Sequence, residues 1–494
     1  MSDESIPRFD PARRRAVTAA LALVTTLASF ESTVVSTAMP TIIGDLQGLP
    51  LYSWVFSLYL LSATVMMPLF SSLADLHGRR RVLLVALVLF LSGALLCAAA
   101  RSMPQLIAAR ALQGLGAAGL VPIALTVVAD LYSLRERARI QGLFSSIWAA
   151  AALIGPLVGA WLTVSFGWRS IFSINLPLGA LALTLVVTQM RESRAKSPIP
   201  FDHRGAALLG VSVTALLFAT LHRGGEADVG AAARGLLLGV AVAALALLVR
   251  EQARAAHPLL PPSLFTRAET AAPYLAGVLL GTTIFGIDTF VPLFVQGARG
   301  GTAAAAGAVV TPVIFMWAAS AGVAARGIIV FGFRRIARVG ALMVLAGLAL
   351  LLTAVLRGWS VWAISLVCGL IGAGLGPSSL SQILAVQHAA AEPDRGVATS
   401  LVPFTRALGG SVGVAALGGI LSAGLARRLG PAVGEASQLL AGRAAAAATS
   451  GVSPQALQGA LTASLLPIFA LLAAVAVLNL VVTAFFPGRA EPSR

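Results

Sequence analysis

The chain has 494 residues, of which 58% are hydrophobic and 11% charged, and its mean hydropathy is +0.89. Soluble domains carry about 25% charged residues. Too few polar residues remain to coat a water-soluble protein of this length, so the coat must be lipid. The net charge of +16 does not make a nucleic-acid surface, because the cations fall in short gaps between apolar runs and form no continuous patch.

A helix needs about 20 mostly apolar residues to cross the hydrocarbon core. Taken in chain order, such runs lie near residues 16–38, 52–72, 82–100, 105–129, 140–164, 170–190, 206–222, 231–249, 271–296, 303–325, 337–356, 360–385, 398–425 and 463–486. That predicts an all-α integral membrane protein with fourteen spans, of which the seventh and eighth are the shortest. The first run is too long for a cleavable signal peptide, and many others follow it. With the N-terminus inside, 24 cations fall in cytoplasmic segments and nine in outer ones, while Arg110 and Arg406 fall within spans. This bias predicts that both termini are cytoplasmic, which requires an even number of spans. The longest outer segment, about 426–462, reads as a weakly ordered helix and loop. Cys97 and Cys368 lie inside apolar runs and read as packing residues rather than a redox pair.

Between the second and third runs the chain reads Ser71-Ser72-Leu73-Ala74-Asp75-Leu76-His77-Gly78-Arg79-Arg80-Arg81. An acid, a turn glycine and a cationic cluster fit a tight cytoplasmic loop or a stop-transfer cluster. In the fourth run, Arg110 is followed by Gln113 and Gly114 on the same helix face. An arginine inside an apolar helix costs about 2.5–3.5 kcal/mol on insertion scales, so it must face a cavity or a partner. In the fifth run, Ala151, Gly155, Gly159 and Thr163 form a small-residue stripe that lets two backbones approach closely. Pro156 can bend that helix. The stripe fits a static contact or one that flexes between states.

Together these elements resemble the major facilitator superfamily. The loop is similar to its first-loop signature, Gly-x-Leu-Ala-Asp-Arg-x-Gly-Arg-Arg, with Ser71 in place of Gly and Leu76 in place of Arg. Gly155-Pro156-x-x-Gly159 resembles the fifth-span signature associated with antiporters. The runs Glu31-Ser32-Thr33-Val34-Val35-Ser36-Thr37-Ala38-Met39-Pro40 and Gly167-Trp168-Arg169-Ser170-Ile171-Phe172-Ser173-Ile174-Asn175-Leu176-Pro177 resemble segments of the fourteen-span drug:proton antiporters. Weaker echoes occur at 326–335 and at Gly409-Gly410-Ser411-Val412-Gly413. The resemblance implies two six-helix bundles, 16–190 and 269–486, each built of inverted three-helix repeats. Two additional central helices would lie within 191–268, and tails at 1–15 and 487–494 would be cytoplasmic. It implies residence in the plasma (inner) membrane and roles in loop chemistry and helix packing for Asp75, Gly78, Arg79, Arg80, Gly155, Pro156 and Gly159.

No Gly-x-x-x-x-Gly-Lys-Ser/Thr phosphate loop is present, since the one lysine, Lys196, follows Arg194-Ala195. Transport is then passive or driven by an ion gradient, and no cofactor is expected. A proton-coupled carrier needs a group that can gain and lose a proton inside the membrane. Of 19 carboxylates, Glu31 and Asp288 sit well inside predicted spans. An intramembrane acid reads as functional by default, beside the plainer role of holding helices together through Arg110, Gln113 or Gln296. His77, His203, His222, His257 and His388 show no metal-ligand spacing. The expected function is a proton-coupled, monomeric exporter of lipophilic, cationic small molecules. Glu31, Asp288 and Arg110 would handle the proton. Phe30, Trp54, Gln113, Trp148, Phe285, Gln296, Trp317 and Phe404 would line the cavity. The rival readings are an exporter of an endogenous metabolite or lipid, an importer, and a membrane-embedded enzyme or receptor. The last would need a paired-acid, Ser-His or metal cluster at one depth.

Overall fold

The computed structural model describes residues 11–132, 134–192, 202–220, 230–255, 258, 260, 262–389, 395–432 and 453–488. Every regular element among them is helical. In chain order they are α1 (Pro11–Leu46), α2 (Tyr52–His77), α3 (Arg79–Ala99), α4 (Met103–Leu131), α5 (Leu134–Phe166), the single turn α6 (Ser170–Ser173) and α7 (Asn175–Gln189). Then follow α8 (His203–Thr220), α9 (Ala231–Gln252), the turn α10 (Ser263–Thr266), α11 (Ala268–Leu293), α12 (Ala303–Phe331), α13 (Phe333–Arg357), α14 (Val361–Ala389), α15 (Arg395–Leu429) and α16 (Pro454–Val482). Most of the expected helix-and-loop at 426–462 lies outside the described residues.

The long helices occupy the places of the expected spans. Among the described residues eleven are long and apolar enough to cross a membrane, or twelve if α1, which bends by 45° just past Glu31, is one span. Over their described residues, α5 and α8 are not among these. Helix α5 has 33 residues, with Arg135, Glu136, Arg137 and Arg139 in its opening turns and no charged residue after them. Helix α8 is described over 18 residues, His203–Thr220. The expectation of fourteen full crossings is therefore met only in part.

Packing follows an internal repeat. Helix α1 packs on α5 and α7, α4 on α2 and α3, and α3 on α7; likewise α11 packs on α15 and α16, α14 on α12 and α13, and α13 on α16. The turns repeat as well. Gly78, between α2 and α3, has φ +99°, and Gly332, between α12 and α13, has φ +81°, a region that glycine enters without penalty. Two residues after each glycine stands an arginine that ties the turn to the last helix of its half. Arg80 Nη2 donates to the Val187 carbonyl at 2.7 Å, and Arg334 Nε to the Phe486 carbonyl at 2.8 Å.

The halves meet through α5 against α12 and α2 against α15. Helices α8 and α9 pack on each other, and α8 rests on both α2 and α15. We call the end where α1 begins and α16 finishes the termini face, and the opposite end the far face. Toward the far face one apolar core joins both halves, uniting Val34, Ile42, Tyr52 and Val55 with Ile287, Phe290, Leu417 and Leu421. Toward the termini face the core divides in two. One part holds Leu21, Phe70, Leu83, Phe90 and Val127 of the N-terminal half. The other holds Ala272, Ile328, Phe333 and Ala385 of the C-terminal half. The two halves are thus fused at the far face and part at the termini face.

Candidate functional site

The sequence places an acid in α1, a cation in α4 and an amide at the start of α7, and packing brings the three together. Arg110 Nη1 donates to Glu31 Oε1 and, at 2.7 Å, to Gln113 Oε1. Asn175 Nδ2 donates to Glu31 Oε2 at 2.6 Å. The Arg110 guanidinium lies over the Tyr59 ring, 3.9 Å from its centroid, which is a cation–π contact. Its Nε reaches the Val55 carbonyl at 3.4 Å. Glu31 and Arg110 are 1% and 2% exposed, so the pair is sealed inside the N-terminal half. Both carboxylate oxygens are occupied and the two charges cancel, which is the arrangement a buried ion pair requires.

The second intramembrane acid is placed differently. Asp288 sits on α11 where the halves meet, and Ser36 of α1 donates to its Oδ1 at 3.4 Å. Among the described residues no cation lies within ion-pairing distance of it. Around it, other bonds cross the same seam. Gln296 Nε2 donates to the Thr37 carbonyl at 3.0 Å, Tyr52 donates to the Thr289 carbonyl, and Ser422 Oγ donates to the Pro50 carbonyl at 2.8 Å. These bonds belong to the fused, far-face end.

The fold is shared with solved transporters. A bacterial homolog of the human lysosomal transporter Spinster superposes with a TM-score of 0.70 at 17% identity, covering 98% of this chain and all of that one. The Major Facilitator Superfamily profile matches residues 21–414. This chain belongs to the Major Facilitator Superfamily. Among its relatives, the multidrug transporter protein MdtP of Bacillus subtilis (strain 168) is 33% identical over 396 residues, 80% of this chain and 73% of that protein. Multidrug resistance protein 3 of the same organism is 31% identical over 395 residues, 79% and 76% of the two chains. The protein is therefore a multi-pass membrane transporter of a small-molecule substrate, and not an enzyme.

The superfamily signatures acquire physical content here. In the first-loop signature, the Arg80 backbone N–H donates to Glu192 Oε1 at 3.1 Å, and Arg81 pairs with Glu192 Oε2 at 3.6 Å. Arg79 Nη1 reaches the Thr126 carbonyl at 3.3 Å. Among the described residues the acid at this turn is Glu192, just past α7; the side chain of Asp75 lies outside them. In the fifth-span signature, a Cβ on Gly159 would lie 2.9 Å from the Val34 carbonyl oxygen, so α5 and α1 touch backbone to backbone. Pro156 presents its carbonyl to Gly307 of α12, at 2.9 Å from where a Cβ there would stand. Gly155 is buried beside it. At Gly159 the small-residue stripe packs α5 on α1 within the N-terminal half, while Pro156 faces α12 across the seam. In the Gly167–Pro177 run, Trp168 Nε1 and Arg169 Nη1 each donate to Asp45 Oδ2 at 3.0 Å, closing the far face of the N-terminal half.

The residues expected to line a cavity disperse. Trp54 is buried edge-on to Phe218 of α8, with ring centroids 5.0 Å apart, so it faces the added helix pair. Gln113 is spent on Arg110. Gln296 is a seam contact. Phe404 is buried in the shared core. Phe285 packs where a Cβ on Gly410 would stand. Phe30 and Trp317 are half-buried against the same core, and the side chain of Trp148 lies outside the described residues. Sequence reasoning gave no role to Tyr59, Asn175, Glu192 or Ser36. Of these, Asn175 stood inside a quoted motif and could have been paired with Glu31 as the polar residue of its span.

Proposed function

We propose that this superfamily member is a proton-coupled exporter of lipophilic small molecules, working by alternating access with Asp288 as the proton-carrying acid. The observation that carries the reading is the contrast between the two intramembrane acids. Glu31 is sealed in a neutral pair, whereas Asp288 lies on the seam and, among the described residues, is bonded by a hydroxyl of the opposite half. When the far-face seam opens, Asp288 loses its Ser36 contact and meets water from that side. A proton taken up there neutralises it, and a cationic group held by its charge is then released. Resealing of the seam carries the proton inward, and the gradient drives the cycle without a cofactor. Each elementary charge moved across 100 mV supplies about 2.3 kcal/mol.

In this reading α5 and α8 also cross the membrane, which makes fourteen spans of the drug:proton antiporter type. Residues 16–190 and 269–486 are then the two bundles of a monomer, with both termini on the cytoplasmic side of the plasma membrane. The arginine bias and the efflux relatives support this layout. The open termini face is then the cytoplasmic one, where an exporter collects its substrate.

The test is substrate efflux from proteoliposomes under an imposed pH gradient. Asp288→Asn is expected to bind substrate but to lose pH-driven efflux. Full efflux with unchanged pH dependence in that variant would remove Asp288 from the role.

A further inference from the structure

The intramembrane cation of the C-terminal half has no acid to match it. Arg406, twelve residues into α15, points at α14. Its Nε and Nη2 donate to Gln382 Oε1 at 2.9 and 2.6 Å, and Nη2 also donates to the Ser379 carbonyl at 2.9 Å. Gln382 is held in turn, since its Nε2 donates to the Pro273 carbonyl of α11 at 2.7 Å. That bond fixes the amide with its oxygen toward the guanidinium. All the partners are neutral. No carboxylate of the described residues lies within ion-pairing distance of Arg406.

Three features make this a site rather than a bare charge. First, the guanidinium is preorganised by two helices, so a ligand need not order it. Second, Nη1 has no partner among the described residues, and Arg406 is only half-buried. Third, Ser379, whose carbonyl holds Nη2, is 6% exposed, and its Oγ has no partner among the described residues. Pro273 and Gln382 adjoin Ala272 and Ala385 of the C-terminal core on one side and Tyr274 and Val386 of the shared core on the other.

We infer that Arg406 and Ser379 form a subsite for the anionic head, a carboxylate or phosphate, of a lipophilic substrate that enters from the termini face. An anion there supplies the charge the protein omits. Arg is suited to it, because a planar fork meets two oxygens of one head group. The subsite rests on the transporter reading but not on proton coupling. It widens the substrate class from lipophilic cations to lipophilic anions and zwitterions. A cationic group near Asp288 would lie toward the far face. Gly281, which abuts the Arg406 carbonyl, precedes Asp288 by seven residues, about 10 Å along α11.

The experiment compares probes of one tail and three heads: dodecanoate, dodecanol and dodecyltrimethylammonium. Binding to the full chain in nanodiscs is measured without a gradient, with empty discs subtracted. Wild type is expected to bind dodecanoate at least about tenfold more tightly than dodecanol, the gain of one charge-assisted hydrogen bond. Arg406→Gln is expected to abolish that preference and to leave the dodecyltrimethylammonium affinity within about threefold, a small free-energy change. Arg406→Lys should retain part of it. Equal wild-type affinities for dodecanoate and dodecanol would overturn the proposal without any variant, and so would a preference that survives in Arg406→Gln. The same wild-type protein assayed for pH-driven efflux tests the coupling reading separately.

Discussion

The two halves share one packing plan and differ in how they close their charges. In the N-terminal half the intramembrane arginine, Arg110, is neutralised by Glu31 and capped by Asn175 and Tyr59. In the C-terminal half Arg406 has an amide and a carbonyl, and the acid of that half, Asp288, has moved out to the seam. A sealed pair stiffens its bundle and has no charge left to exchange. In the proposed reading, an open cation and an open acid let their bundle answer a ligand and a proton. A duplicated scaffold can therefore assign rigidity to one copy and chemistry to the other without altering the helix plan.

The sharpest way to break this comparison is to delete each arginine. Arg110→Ala strands the Glu31 carboxylate in a dry interior, and losing one partner of a buried pair costs about 3–5 kcal/mol. Arg406→Ala leaves only neutral acceptors unpaired, at about 1–3 kcal/mol. Thermal melting of the purified protein should rank wild type above Arg406→Ala and Arg406→Ala above Arg110→Ala. The reverse order would mean that Arg406, and not Arg110, is the structural cation.

A smaller effect is expected where the halves touch. Gly307→Ala sets a methyl against the Pro156 carbonyl, and overpacking of that kind costs about 1–3 kcal/mol. It should disfavour the arrangement with the far-face seam closed. A cysteine at Thr289, whose position is 1% exposed, should then label faster from the far side than the same cysteine in a wild-type background. Unchanged labelling would show that the α5–α12 contact does not govern the seam.

The smallest expected effect tests the repeat itself. Arg80→Ala and Arg334→Ala each remove one hydrogen bond from a loop arginine to the end of the last helix of its half. Each should cost about 0.5–1.5 kcal/mol, and the two losses should be similar. A loss confined to Arg334→Ala would show that Glu192, which bonds the Arg80 backbone N–H and pairs with Arg81, holds the first turn without the Arg80 side chain.

Much of this protein was legible in the chain alone. Composition dictated a lipid environment, because so few charged residues cannot coat a soluble body. Apolar runs of helical length located the long helices, and the order of motifs on those runs pointed to the family. Periodicity also singled out Arg110, since a cation in an apolar helix must have a partner. Tertiary structure decided which partner that is, and so which acid is sealed and which is open. Glu31 and Asp288 look alike in sequence, each a lone acid in an apolar run. What separates them is the set of helices that pack around each one, and that depends on contacts between residues as far apart as Glu31 and Asn175, or Ser36 and Asp288. The aromatic residues show the same limit. Trp54 reads as a cavity wall along α2, but the face it lies on is the one that α8 covers, because burial of an apolar ring is satisfied equally well by a neighbouring helix as by a ligand.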